Sequence, residues 1–274
     1  MEKYISQTLV KNFKQTELWQ NKLKDDCKNG DVFLAIRNNK IELYYKGGLL
    51  FEYSNDCFKT HHKYASVIRE SKGKYISESD LSQLRLISDF ISGYDRIKEN
   101  CSMYAKKEAK EISKITKNYS YLSDHNVIVL DIEASFEGLT NEKKQDRVDI
   151  IVFNKETAAL KFVEAKLFSN QELKSTNEPR VINQLQNYNE QIANSGDMIL
   201  KEYESHVNLL NTLFGLELPK PEKIEPKTEL LIFSFDDDQR KGRVNDIVTS
   251  IQSKGFEVYS IGNAENLTIN NLWR

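Results

Sequence analysis

Three residues in the middle of the chain have the side chains that phosphodiester cleavage needs: Asp149, Glu164 and Lys166. Asp149 interrupts the apolar, β-branched segment Arg147–Phe153, and Glu164 and Lys166 stand two apart in the segment Ala159–Phe168. Side chains alternate between the two faces of a strand, so residues two apart project from the same face. If the two segments are neighbouring strands, two carboxylates and one ammonium group converge.

Such a trio suits a reaction in which water attacks a negatively charged phosphate. Asp149 and Glu164 could bind Mg²⁺ or Mn²⁺ and leave coordination positions open for water and phosphate. The backbone carbonyl of Ala165 would complete the metal shell, and Lys166 would orient the water and stabilise charge in the transition state. The same residues also have simpler interpretations, because a Glu-x-Lys pair is often a solvated ion pair and a lone Asp can cap a turn.

The elements that must position this trio follow from the pattern of apolar residues. From about residue 96 the pattern predicts the order α-β-β-β-α and then β-α-β, with a polar turn at Asn154–Thr157 joining the two strands that carry the trio. Adjacent strands combined with strands separated by helices indicate an α/β fold with a mixed sheet and helices on its faces. The predicted elements after the helical run to Asn118 are strands Asn126–Phe136, Arg147–Phe153 and Ala159–Phe168, helices Pro179–Ala193 and onward to Phe214, strand Glu229–Phe235, helix Val244–Lys254 and strand Phe256–Ile261.

The N-terminal part predicts a helix over Glu2–Lys24 followed by a small antiparallel meander. Turns at Asn38-Asn39 and Gly47-Gly48 separate its three strands, which are Val32–Arg37, Lys40–Tyr45 and Leu49–Tyr53. Ser77 and Asp80 have the spacing of a capped helix start. We therefore expect a small α+β elaboration over residues 1–76, of unknown role, and a main domain over residues 77–274.

The segments around the trio resemble the signature of the PD-(D/E)XK nuclease superfamily. Asp146-Arg147-Val148-Asp149-Ile150 and Phe162-Val163-Glu164-Ala165-Lys166 look like its D…(D/E)-x-K motif, although Val148 stands where the family has proline. The resemblance implies a restriction-endonuclease-like α-β-β-β-α-β core. Asn183-Gln184-Leu185-Gln186-Asn187-Tyr188 is similar to the Gln-x-x-x-Tyr motif of the RecB-like branch. By that resemblance Gln184 is expected to reach the active site, with Tyr188 one helical turn away.

A further acid often assists in this family, and three glutamates are candidates. Glu108 and Glu111 lie in the helix before the first core strand, and Glu133 lies inside that strand. We favour Glu133, because an acid in a segment that is otherwise buried needs a reason. The alternative is a structural acid near the end of the strand.

The bulk properties indicate an ordinary globular domain rather than a disordered chain or a membrane protein. Of the 274 residues, 39% are hydrophobic and 29% charged, and no apolar run approaches a membrane span. The N-terminus lacks the pattern of a secretory signal, so we expect a cytoplasmic location. Three cysteines and four histidines show neither a disulfide framework nor the spacing of a zinc site.

Charge gives only weak guidance on partners, because the net charge is −2. The segment Arg96–Lys117 holds seven Lys or Arg against three Glu, which could form a basic face but more simply forms a solvated helix with local ion pairs. Packing likewise explains its neighbouring tyrosines more simply than base stacking does. Those tyrosines are Tyr94, Tyr104, Tyr119 and Tyr121. Asp236-Asp237-Asp238 has the pattern of a helix-capping turn rather than of a metal site.

Together these patterns predict a nuclease that depends on Mg²⁺ or Mn²⁺ and acts on DNA, in restriction, phage defence or repair by analogy with the superfamily. RNA as the substrate and a homodimer stay open. The alternative is a catalytically silent protein that retains the nuclease scaffold and binds another protein through its N-terminal region.

Overall fold

The computed structural model describes residues 6–65, 75–81, 89–135, 147–174 and 179–273. These residues form a mixed α/β structure with two separate sheets. The chain divides into two compact units, one containing Glu2–Asn118 and Thr212–Leu216 and the other containing Tyr119–Asn211 and Glu217–Arg274. We call them the N-terminal unit and the C-terminal unit.

Among the described residues, the N-terminal unit combines α-helices with a five-stranded antiparallel sheet in the order β1-β2-β3-β4-β5. The helices are α1 (Gln7–Gln15), α2 (Lys24–Lys28), α3 (Glu78–Leu81), α4 (Tyr94–Tyr104) and α5 (Lys107–Tyr119), and the strands are β1 (Val32–Arg37), β2 (Lys40–Tyr45), β3 (Gly48–Ser54), β4 (Cys57–His61) and β5 (Tyr75–Ser77). The three predicted strands of the meander are confirmed, and β4 and β5 extend them.

Local residue chemistry explains where these elements begin and end. Two left-handed residues in succession, Asn55 (φ 49°) and Asp56 (φ 56°), make the tight turn between β3 and β4. The helix predicted over residues 2–24, of which residues 2–5 lie outside the described residues, is wrong as a single helix, because α1 ends at Gln15 and helical structure resumes as a π-helix over Trp19–Leu23. Thr16 adopts an extended conformation, and its hydroxyl donates to the Phe13 carbonyl at 2.7 Å.

The boundary between the units falls after Asn118, whereas the sequence predicted a boundary after residue 76. Aromatic packing is the physical reason. The Phe51 ring of β3 lies 5.1 Å from the Phe90 ring and 6.3 Å from the Tyr94 ring, measured between ring centroids. The helices that follow residue 76 therefore share the core of the N-terminal sheet.

The C-terminal unit contains a mixed sheet in the order β11-β10-β8-β7-β6, with β9 pairing with β8. Its strands are β6 (Val127–Ser135), β7 (Arg147–Asn154), β8 (Ala159–Leu167), β9 (Lys223–Ile224), β10 (Glu229–Phe233) and β11 (Glu257–Ile261), and its helices are α6 (Arg180–Phe214, whose last three residues belong to the N-terminal unit), α7 (Asp237–Gln239) and α8 (Asn245–Gln252). Strands β6, β7 and β8 are antiparallel, and β8, β10 and β11 are parallel. The predicted mixed sheet is confirmed.

Helices α6 and α8 lie between parallel strands in sequence, and their apolar faces pack on the sheet. A core cluster joins residues from β10, α6 and α8 with residues of the connecting segments. Its buried members are Phe168, Leu173, Val181, Ile182, Leu185, Leu230, Ile232, Phe235, Val244 and Ile251. This packing fixes the start of α6 relative to the carboxyl ends of β8 and β10.

Two predicted turns of the C-terminal unit are also confirmed. The side-chain oxygen of Asn154 accepts hydrogen bonds from the backbone amides of Glu156 and Thr157, which closes the turn between β7 and β8. Asp236 and Gln239 cap α7 reciprocally through a capping box. Within the described residues, none of the helices is both long enough and apolar enough to cross a membrane.

Candidate active site

The register of the C-terminal sheet brings Asp149 and Glu164 together. Ile150 of β7 pairs with Val163 of β8, so the next step along the two antiparallel strands places Asp149 opposite Glu164. A carboxylate oxygen of Asp149 accepts a hydrogen bond from the Ala165 amide at 2.9 Å. The backbone of β8 thus holds the Asp149 side chain beside Glu164 and Lys166.

Lys166 lies between two carboxylates. Its ammonium group is 2.6 Å from Glu164 Oε1 and 3.0 Å from Glu172 Oε2. Glu172 belongs to a 3₁₀ turn over Gln171–Leu173 that directly follows β8, and the Asn170 side chain caps this turn. Lys166 and Glu164 are almost completely buried, whereas Glu172 is partly exposed. The lysine is therefore held in one position rather than free to sample solvent.

The electrostatics of the cluster reflect three carboxylates around one ammonium group. Burial raises the pKa of Asp149 well above its ordinary value, and the charge of Glu164 raises it further; Lys166 and the Ala165 amide act in the opposite direction without reversing the shift. Burial alone would lower the pKa of Lys166, but Glu164 and the other two carboxylates raise it above the ordinary lysine value. Lys166 is thus a permanent cation at neutral pH.

Helix α6 contributes two residues that the sequence singled out. Gln184 has a buried side-chain oxygen that accepts no hydrogen bond from any described residue. One turn later, the hydroxyl of the fully buried Tyr188 donates to the Arg147 carbonyl at 2.7 Å. Tyr188 therefore fixes α6 to β7 two residues before Asp149, and Gln184 carries an unused buried acceptor.

Glu133 lies on the neighbouring strand β6, in an unusual conformation. Ile132 pairs with Ile150 and Ala134 pairs with Val148, so Glu133 stands opposite Asp149. Its φ of 51° lies in the left-handed region, which costs a residue with a side chain about 1–3 kcal/mol. Its carboxylate forms an ion pair with Arg147 at 3.2 Å and contributes to the raised pKa of Asp149.

No family model, curated protein or solved structure matches this chain. The resemblance to PD-(D/E)XK nucleases therefore rests on the residues of the chain and on their geometry. Of the residues predicted for the site, Asp149, Glu164, Ala165 and Lys166 lie in direct contact along β7 and β8. Gln184 and Tyr188 lie on α6, which contacts β7 through Tyr188, and Glu133 lies on β6, which pairs with β7.

Glu108 and Glu111 stand on α5, which belongs almost entirely to the N-terminal unit. Glu111 pairs locally with Lys114 at 3.1 Å. Lys117 similarly pairs with Asp31 at 2.9 Å. Lys114 thus pairs within its own helix, as the simpler interpretation predicted for this segment, whereas Lys117 pairs with a residue 86 positions earlier in the chain.

Two acids of the C-terminal unit escaped the sequence interpretation. Glu172 follows β8 in a polar segment, and only the folded 3₁₀ turn brings it to Lys166. Asp131 is completely buried on β6; one of its oxygens accepts from the Ile132 amide and the other from the Tyr203 hydroxyl at 3.1 Å. An acid in the run Val127–Ser135 was a usable signal, but the pattern drew attention to Glu133 instead.

A second charged cluster lies near the opposite end of β8. Lys161 is buried and pairs with Glu229 at 2.9 Å and with Glu257 at 3.0 Å. It lines a cleft of about 330 Å³ whose other walls are Glu225, Pro226, Lys227, Glu257 and Trp273. The two buried lysines of β8 are five residues apart, so they project from opposite faces of the strand.

Proposed function

We propose that this chain is a divalent-metal-dependent nuclease of the PD-(D/E)XK kind, acting on DNA. The observation that carries the proposal is the cluster of Asp149, Glu164 and Lys166, held together by the pairing of β7 with β8 and by the hydrogen bond from Ala165. Burying two carboxylates side by side costs free energy that a purely structural sheet has no reason to incur.

The strand arrangement supports the restriction-endonuclease-like fold that the resemblance implies. Strands β6, β7 and β8 are antiparallel neighbours, and the two motifs lie on β7 and β8. Helix α6 then leads to β10, which pairs with β8 in parallel. This is the α-β-β-β-α-β order expected after the helix that ends near residue 118, although α5 clusters with the N-terminal unit.

The donor set fits a divalent cation. Among the described residues, no three or more His, Cys, Asp or Glu side chains form a metal-holding group by themselves. Two carboxylates and a carbonyl would suffice, because Mg²⁺ usually binds through one or two carboxylates plus waters and phosphate oxygens. Negative charge also exceeds positive charge around Lys166, so a phosphate would be repelled unless a cation joined the site.

Asp149, Glu164 and the Ala165 carbonyl would hold Mg²⁺ or Mn²⁺, which when bound neutralises phosphate charge and acidifies a coordinated water. Lys166 is fixed by two carboxylates, so its ammonium group can donate to the attacking water or to a phosphate oxygen without first losing conformational freedom. The buried oxygen of Gln184 can accept a hydrogen bond from that water. Tyr188 keeps α6 in place.

Partners and location belong to the same proposal. DNA is the substrate that we favour, with RNA to be compared directly, and a homodimer and a protein partner for the N-terminal unit remain hypotheses. We propose that the protein works in the cytoplasm, since its three cysteines are free, as expected in a reducing compartment.

The test is cleavage of supercoiled plasmid, linear duplex, single-stranded DNA and single-stranded RNA with Mg²⁺, Mn²⁺ or EDTA. The wild type is compared with Lys166→Met, and Lys161→Met is the control because it removes an equally buried, ion-paired lysine from the same strand. We expect metal-dependent cutting that Lys166→Met loses and Lys161→Met retains.

Calorimetry of Mn²⁺ binding separates the alternatives. Binding by the wild type that Asp149→Asn abolishes supports the metal site even when no tested substrate is cut. Neither cutting nor metal binding would reject the proposal and favour the silent scaffold as a protein-binding subunit.

A further inference from the structure

Five aromatic rings of the N-terminal unit gather at the junction of β4, β5 and α4. We call them the ring patch: His61, His62, Tyr64, Tyr75 and Tyr104. Ring centroids are 4.5 Å apart for His61 and His62, 5.1 Å for His61 and Tyr64, 5.8 Å for His61 and Tyr75, and 6.3 Å for Tyr64 and Tyr104. Each ring thus lies within stacking or edge-contact distance of another.

The ring patch lies at the surface, where two of its rings are exposed and the rings of His61, His62 and Tyr64 are half-buried. Tyr104 is 56% exposed and Tyr75 is 42% exposed, while Tyr94, on the same helix as Tyr104, is 2% exposed and packs against Phe51. Burying an aromatic side chain would stabilise the fold, so exposed rings that adjoin half-buried rings indicate a binding surface. The patch therefore calls for a ligand that offers flat apolar faces.

The charges around the rings select among such ligands. Along the chain, Lys63 stands between His62 and Tyr64, and Lys106 and Lys107 follow Tyr104 and precede Glu108. The Lys63 ammonium group lies 5.2 Å from the centroid of the Tyr104 ring. Exposed rings beside cations match a polymer that carries both planar bases and phosphates. An aliphatic peptide would leave the lysines unused, and an acidic peptide would leave the rings unused.

We propose that the ring patch binds single-stranded nucleic acid, with bases stacked on Tyr104 and Tyr75 and a phosphate contacted by Lys63. A single strand is required because the base faces of a duplex are already stacked on their neighbours. The inference rests on the proposed nuclease function for its purpose, since it names the class of substrate that the N-terminal unit would deliver. Its physical support lies wholly within the N-terminal unit.

The test measures binding of the full chain to a fluorescent oligodeoxythymidine by anisotropy in EDTA, so that cleavage plays no part. We expect Tyr104→Ser to weaken binding roughly 5- to 150-fold, the range for loss of one stacked base. Lys63→Ser should flatten the dependence of log K on log salt by about 0.7. Met198→Ser is the control, because Met198 is 46% exposed and belongs to the C-terminal unit.

Absence of wild-type binding, equal effects of Tyr104→Ser and Met198→Ser, or equally tight binding of duplex DNA would each overturn the inference. Circular dichroism checks that each variant is folded. The outcome is independent of catalysis: binding through Tyr104 by a chain that shows neither metal-dependent cutting nor Mn²⁺ binding would reject the nuclease and keep the patch. Metal-dependent cutting by the wild type together with unchanged binding by Tyr104→Ser would keep the nuclease and reject the patch.

Discussion

Lys166 and Lys161 offer a matched pair of substitutions that separates catalysis from stability. Each lysine is buried in β8 and joins one buried glutamate to one that is partly exposed. Lys166 joins Glu164 to Glu172, which is 38% exposed, and Lys161 joins Glu229 to Glu257, which is 45% exposed. Methionine keeps most of the aliphatic stem and removes the charge, so the two substitutions remove the same chemistry from opposite faces of one strand.

The expected loss of stability follows from what each substitution leaves behind. Removing one partner of a buried ion pair costs about 3–5 kcal/mol, because the remaining charge is buried without compensation. The exposed glutamate adds no more than about 1 kcal/mol. The loss of stability caused by Lys166→Met should lie at the upper end of this range, because Glu164 is then left beside the Asp149 carboxylate without the lysine between them. For a domain of this size we expect melting temperatures lower by about 6–20 °C, measured by calorimetry.

Catalysis should respond quite differently. Loss of one preorganised donor to a developing negative charge slows an enzyme by about 10²–10³-fold, and we expect that loss for Lys166→Met. Lys161→Met should stay within about threefold of the wild type, because its cluster lies away from Asp149 and Glu164. The assay is the initial rate of plasmid nicking with Mn²⁺, at a temperature well below the melting temperature of both variants.

A double substitution tests whether Lys166→Met loses activity only because it is less stable. Glu164→Gln combined with Lys166→Met removes both members of the buried ion pair, so stability should recover by most of the loss while nicking stays at least as slow as in Lys166→Met. Equal loss of nicking in Lys166→Met and Lys161→Met, with both proteins folded, would refute the assignment of Lys166 to catalysis.

Three further predictions concern the N-terminal unit. Gly47 has φ 81°, and a Cβ atom added there would collide with the Ala109 backbone. Gly47→Ala should therefore lower the free energy of unfolding by about 2 kcal/mol or more in urea titrations. Gly196→Ala is the control and should not destabilise the protein, because Gly196 lies in a helix with open space around it. Burial raises the pKa of the Cys101 thiol to about 12, so at pH 8 only about one molecule in ten thousand carries the reactive thiolate. Ellman's reagent should therefore label the partly exposed Cys57 first. Rapid labelling of Cys101 in the folded protein would contradict this expected order. Burial would raise the pKa of Glu42, but the surrounding guanidinium, ammonium and hydroxyl groups hold this pKa below the ordinary value near 4.3. The ionised Glu42 therefore stabilises the fold above that pH, and this stabilisation is lost as the pH falls further. The destabilisation caused by Glu42→Gln should be largest near pH 7 and shrink below about pH 4, and a difference in unfolding free energy that stays constant across pH would disprove the prediction.

Several elements could be predicted from the sequence because their signals are local. Strands β6, β7 and β8 are continuous β-branched and apolar runs, and each lies within two residues of its predicted bounds. The start of α3 was readable because Ser77 and Asp80 interact across three residues, and their backbone and side-chain atoms meet at 2.7 Å. In both cases the decisive interactions connect neighbours in the chain.

The remaining features depend on contacts between distant residues. The boundary of the N-terminal unit is set by Phe51 packing against Phe90 and Tyr94, about forty residues later, and no composition change marks it. Strand β5 has only three residues, too few for a period to appear. Glu172 becomes part of the candidate site only because the 3₁₀ turn folds back onto Lys166. The conformation of Glu133 is likewise invisible in a sequence that shows an ordinary strand.

A lysine held by two glutamates does not by itself distinguish a catalytic cluster from a structural one, since β8 carries such a cluster near each end. The surroundings make the difference. The Lys161 cluster has two carboxylates for one lysine, whereas Asp149 gives the Lys166 cluster a third. Gln184 supplies a buried acceptor that no described residue uses, on the helix that Tyr188 ties to β7. Excess buried negative charge and an unused buried acceptor each cost stability, which a bound cation and a water would offset. For that reason we propose the Lys166 end of the strand, and not the Lys161 end, as the place of the metal and the chemistry.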